Sequence, residues 1–177
     1  MQQNSNVIDI SIRHDDNALA RIIADELLSV PMRLEAARFL IKREYIIELL
    51  LMPLNGEVRA ALLHRIDDNY VLITLALDDA DPLVRLAAVQ KLTEPAVIRQ
   101  VAQEDAEPQV RLAAIGRLQD QQALAQIASF EPLAELRIAA VERMSDTARL
   151  TMIAATDAEK AVRDAAQLRL HALEQGK

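Results

Sequence analysis

One residue type returns at a fixed interval and limits what this chain can become. Arginine stands at Arg33, Arg59, Arg85, Arg111, Arg137 and Arg163, each step 26 residues, with no insertion or deletion across six units. Neighbouring columns keep the same register. Met32, Val58, Val84, Val110, Leu136 and Val162 precede the arginines, and Leu40, Ile66, Leu92, Leu118, Met144 and Leu170 follow seven residues after them. A period of this length marks an array of small supersecondary units, none of which buries its apolar face alone.

A second block in each unit aligns Ile46, Leu72, Ile98, Leu124 and Leu150 with Leu49, Leu75, Val101, Ile127 and Ile153, followed by Leu50, Ala76, Ala102, Ala128 and Ala154. Spacings of three, four and seven put such residues on one helical face. Each unit therefore reads as helix A, a tight turn, helix B and a loop, with helices of about ten residues, too short to be stable in isolation. The punctuation agrees. Pro82 and Pro108 fall where helix A begins and where a missing N–H costs nothing. Asp67-Asp68, Thr93-Glu94, Gln119-Asp120 and Ser145-Asp146 precede helix B, where they cap free N–H groups and favour the positive end of the helix dipole. With 51% hydrophobic but only 2% aromatic residues and three glycines, the composition also favours helix over strand.

The pattern decays at its ends. Residues 1–16 form a polar segment, a candidate degenerate cap, and residues 17–177 form the array. Ala20, Ile23, Ala24 and Leu27 have the phase of a helix B, whereas Val162, Ala165, Ala166, Leu170 and Leu173 suggest one longer helix A, either a capping helix or part of a longer array.

Asp79 with Val84-Arg85 and Ala87-Ala88, repeated as Asp105 with Val110-Arg111 and Ala113-Ala114, resembles the Asp…Val-Arg-x-Ala-Ala core of HEAT repeats over roughly residues 30–170. The short unit is similar to the HEAT-like repeats of bacterial phycobilin lyases and of the leucine-rich repeat variant, although the iron-sulfur module of the latter has no counterpart here because cysteine is absent. The resemblance implies an all-α fold, an armadillo-like α-solenoid forming a right-handed superhelix of two-helix repeats. It implies scaffold or adaptor work more often than chemistry.

The arginines lie among apolar positions of helix A, so each needs a partner. Asp79, Asp105, Glu131 and Asp157 each stand six residues before an arginine and can pair with it there or across the repeat boundary. Leu27 and Pro53 occupy that slot before Arg33 and Arg59, which leaves the pairing of those two open. The main expectation is a structural ladder; anion or phosphate recognition is the rival. A second basic column, Arg65, Lys91, Arg117, Arg143 and Arg169, is followed three residues later by Asp68, Glu94, Asp120 and Asp146 in the central repeats, which reads as a solvated salt-bridge stripe.

Nothing in the sequence argues for catalysis, a cofactor or a metal. His14, His64 and His171 are far apart in the array, no nucleophile elbow or Gly-rich phosphate loop occurs, and the carboxylates follow the repeat instead of breaking it. A formal net charge of -7 opposes binding to nucleic acid or anionic membranes. The start of the chain lacks the basic and apolar blocks of a secretion signal, and the run Tyr45–Leu54 is about half a membrane span, so a soluble cytoplasmic protein is expected.

One departure from the repeat points to a partner. On the flanks of helix B, Ile47 and Ile73 give way to Arg99, Ala125 and Thr151, and Leu51 and Leu77 to Gln103, Ser129 and Ala155; Tyr70 lies on the same flank. Ile47, Leu51, Tyr70, Ile73 and Leu77 thus form a candidate partner-binding patch on the concave side of a solenoid. The competing reading covers them with the degenerate first repeats or with a folded-back segment, Val7 to Ile12. The expected partner is another protein, another region of a longer parent chain, or a second copy in a homodimer. The rival functions are an enzyme-accessory role of the phycobilin-lyase type and, further off, nucleic-acid binding like that of HEAT-like DNA glycosylases.

Overall fold

The computed structural model describes residues 8–176; Val7 and the rest of the first seven residues, and Lys177, lie outside that range. The described residues contain twelve α-helices and no strand. A 3₁₀ turn, Ile10–Ile12, precedes α1 (Asp16–Ala24), α2 (Val30–Phe39), α3 (Arg43–Leu51), α4 (Gly56–Leu63), α5 (Asn69–Asp78) and α6 (Pro82–Lys91). Then come α7 (Pro95–Glu104), α8 (Pro108–Ile115), α9 (Gln121–Phe130), α10 (Ala134–Val141), α11 (Thr147–Thr156) and α12 (Lys160–Gln175).

The chain divides into two compact units at Lys91 and Leu92. In the first, α2 packs on α4 and α4 on α6, while α1 packs on α3; α1 also meets α2, α3 meets α4, and α5 meets α6. In the second, α8, α10 and α12 follow one another in the same way, α7, α9 and α11 likewise, and each B helix packs on the A helix after it. In each unit the A helices thus pack on one another in chain order, and each B helix packs on the A helix that follows it.

The cores are built from the repeat columns. Val58, Val84, Val110, Leu136 and Val162 are buried, as are Leu40, Ile66, Leu92, Leu118 and Met144, whereas Met32 and Leu170 at the ends are half-buried. All ten residues of the two main helix-B columns, from Ile46 and Leu49 to Leu150 and Ile153, are buried. Three residues after the arginine, Ala36, Ala88, Ala114, Ala140 and Ala166 have no exposed surface, and small side chains there let A helices approach closely; Leu62 fills that place in α4.

Local chemistry sets the helix boundaries. The Asp68 carboxylate accepts from the Val71 N–H, Asp120 from Gln122 and Ala123, and Asp146 from Arg149, so three of the four expected caps close the start of a B helix. Glu94 makes no such bond, and Pro95 instead removes one of the donors that would need a cap. These bonds have an electrostatic trace: the Val71 N–H holds Asp68, and the Ala123 N–H holds Asp120, below the usual carboxylate range. At the amino end Asp15 caps α1 through Asn17 and Ala18, and at the other end α12 runs 16 residues. No described helix is long and apolar enough to cross a membrane.

Arginine ladder and candidate partner-binding surface

The first arginine column fastens successive loops. Arg137 donates from Nε and Nη2 to the two oxygens of Asp157, both at 3.0 Å, and from Nη1 to the carbonyl of Glu131 at 3.0 Å. Arg111 repeats the arrangement one unit earlier, with Nη2 on Glu131 at 3.0 Å and Nη1 on the Asp105 carbonyl at 2.8 Å. Arg59 binds both oxygens of Asp79 and, through Nε, the Leu50 carbonyl at 3.1 Å. Arg85 takes the Asp79 carbonyl at 2.9 Å, and Arg163 takes that of Asp157 at 2.6 Å.

Asp79, Glu131 and Asp157 therefore each offer the carboxylate to the arginine 20 residues before and the carbonyl to the arginine six residues after, as Glu131 does with Arg111 and Arg137. The same carboxylates also turn their own loops: Asp79 accepts from the Asp81 N–H, and Asp157 from the Glu159 N–H, both at 2.9 Å. Burial pushes Asp157 upward, but the Arg137 hydrogen bond, the Glu159 N–H and the charges of Arg137 and Arg163 outweigh it and hold the carboxyl below its usual range. The Asp157 bond likewise raises Arg137.

Arg59 is paired although no acid stands six residues before it, because its carboxylate comes from the following loop. Arg33 differs from every other member. It is the one charged residue buried outright among the described residues, at 4% exposure; its Nε reaches the Ile23 carbonyl at 2.8 Å, and its Nη2 finds no acceptor.

The second basic column departs from the stripe of pairs three residues apart that its spacing suggests, although Lys91 does pair with Asp67 at 2.8 Å. Arg143 donates to the Leu118 carbonyl at 3.2 Å and Arg169 to that of Met144 at 2.8 Å, while Arg117 reaches Leu92 and Lys91 reaches Leu63 and Ile66. These carbonyls lie at or just beyond the carboxyl end of the preceding A helix, where a cation satisfies free acceptors and opposes the dipole. The acids three residues later pair elsewhere: Asp68 with Arg43, Asp120 with Arg99, and Asp146 with Arg149.

The candidate patch lies in the first unit. Leu51 on α3 and Tyr70 on α5 are exposed, at 77% and 79%, while Ile47, Ile73 and Leu77 are half-buried. Glu44, Glu48, Thr74 and Asp78 are exposed on the same two helices. The amino-terminal segment packs on α1 through the 3₁₀ turn, Ile8 is buried, and Arg13 lies over the Phe39 ring of α2 at 4.6 Å, which ties the segment to α1 and α2.

A second exposed apolar pair was not singled out from the sequence. In the other unit, Phe130 at the end of α9 is 82% exposed and Met152 on α11 is 54% exposed; both line a cavity of about 390 Å³ with Arg137, Thr156 and Asp157. The signal lay in two further helix-B columns. Phe130 is aligned with Met52, Asp78, Glu104 and Thr156, and Met152 with Glu48, Thr74, Gln100 and Gln126. Among the described residues no three His, Cys, Asp or Glu side chains stand together as a metal site. No family model matches the chain, and neither does any curated protein or solved structure.

Proposed function

We propose that this chain is a HEAT-like α-solenoid that works in the cytoplasm as a non-catalytic scaffold, holding another protein on the outward faces of its B helices. One observation carries the reading: Leu51 and Tyr70 stay in solvent although every core column around them is filled. Large side chains that the fold leaves exposed, on positions where other repeats carry Gln, Ser or Ala, are the usual raw material of a protein interface. Half-buried Ile47, Ile73 and Leu77 would form the floor of that contact, with Glu44, Glu48 and Asp78 as its polar rim.

Replacing Leu51 and Tyr70 together by Gln tests it. The double variant should keep the parent's helical content and melting temperature and should lose the native partner in affinity capture, or the self-association if a second copy is the partner. Retention of the same partner by the folded variant would remove the patch as the binding surface.

A further inference from the structure

We propose that Arg33 is the receiving half of a carboxylate-binding site, completed by a carboxylate from outside the described chain at the position that Asp79 occupies beside Arg59. The two arginines are equivalent in the repeat, 26 residues apart. They are also held alike. Nε of Arg59 donates to the Leu50 carbonyl near the end of α3, and Nε of Arg33 donates to the Ile23 carbonyl near the end of α1. For Arg59 this anchor leaves the Nη edge on the loop after the next B helix, and the repeat equivalence assigns the same direction to Arg33. For Arg59 that loop brings Asp79, which takes both Nη atoms. For Arg33 the corresponding residue is Pro53, which has no acceptor side chain.

The consequence is electrostatic. A guanidinium is always charged, and burying it without an anion is among the most costly states a side chain can occupy. Arg33 is more deeply buried than its paired relatives, and its Nη2 meets no acceptor among the described residues. A fork of two N–H donors fixed from behind matches a carboxylate in shape and charge. Pro53 is exposed, so its position can be reached from solvent, beside half-buried Met52. The same chemistry is available from a small free carboxylate or from the carboxyl terminus of a bound polypeptide.

Melting in sodium acetate against sodium chloride at equal ionic strength tests the site on the full chain. Acetate at about 100 mM should raise the parent's melting temperature by about 2–4 °C, as a ligand bound only by the folded state does. Arg33→Met, which keeps the apolar stem, should lose that rise. Pro53→Asp supplies the carboxylate internally. It should melt above Pro53→Asn, the same backbone change without the charge, and should not respond to acetate, whereas Pro53→Asn should. The source is read by titrating a tetrapeptide with a free carboxyl terminus and its amidated form: binding of the free form at least tenfold tighter than acetate assigns the site to a chain end, and equal binding assigns it to a small carboxylate. An acetate rise that persists in Arg33→Met or Pro53→Asp, or that is absent from the parent, overturns the proposal.

Discussion

Helices α5 and α9 occupy equivalent places in the repeat, and they agree inside and differ outside. Leu72, Leu75 and Ala76 of α5 are buried, and so are Leu124, Ile127 and Ala128 of α9. In the flanking columns, α5 carries exposed Tyr70 and Thr74 and half-buried Ile73 and Leu77, where α9 carries exposed Gln122, Gln126 and Ser129 and a small, buried Ala125. Three inward columns are enough to build a B helix of this array, so the outward columns are free to differ. On the scaffold reading, the columns that turn apolar without being covered do so because of what the protein meets.

The largest effects should therefore come from the inward columns, and should be alike in both helices. Leu72→Ala and Leu124→Ala should each destabilise by about 2–5 kcal/mol in urea melts, the range for emptying a buried leucine site. Costs that differ widely between the two would break the equivalence. Next in size is the ladder. Arg137→Ala leaves the carboxylate of Asp157, whose side chain is 10% exposed, without its bidentate partner, and should cost about 2–4 kcal/mol.

A smaller effect should appear on acidification. Because the folded state holds Asp157 below its unfolded value, the carboxylate adds stability above the unfolded pKa, about 4, and loses that contribution as pH falls through the folded pKa. The stability gap between the parent and Asp157→Asn should be constant near neutrality and shrink below about pH 4. A gap that widens on acidification would reverse the assignment. The smallest effect belongs to the outward columns: Leu51→Gln with Tyr70→Gln should change stability by no more than about 0.5 kcal/mol.

Much of this was legible because one period fixes both register and core. Once Arg85 and Arg111 are aligned, Val84 and Val110 or Leu72 and Ile98 follow as equivalent buried residues. The partner of each arginine was harder to read for the same reason. In an array of period 26, an acid six residues before one arginine is also 20 residues after the previous one, and only the ends separate the two arrangements. Arg59, with Pro53 behind it and Asp79 ahead, resolves the ambiguity in favour of the acid ahead. The second basic column misled because its acceptors are backbone carbonyls about one repeat away, and carbonyls leave no mark on a side-chain pattern. Phe130 and Met152 went unnoticed because each is apolar in a column that is mostly polar, and their neighbourhood on α9 and α11 exists only in three dimensions.

The contrast between α5 and α9 can be tested at one pair of positions. A photo-crosslinking phenylalanine analogue placed at Tyr70, and separately at the equivalent Gln122, reports what touches each helix from outside in the living cell. The scaffold reading predicts a discrete protein adduct from position 70, absent from position 122 and abolished when Leu51→Gln is added. No adduct at position 70, or the same adducts from both positions, would contradict it.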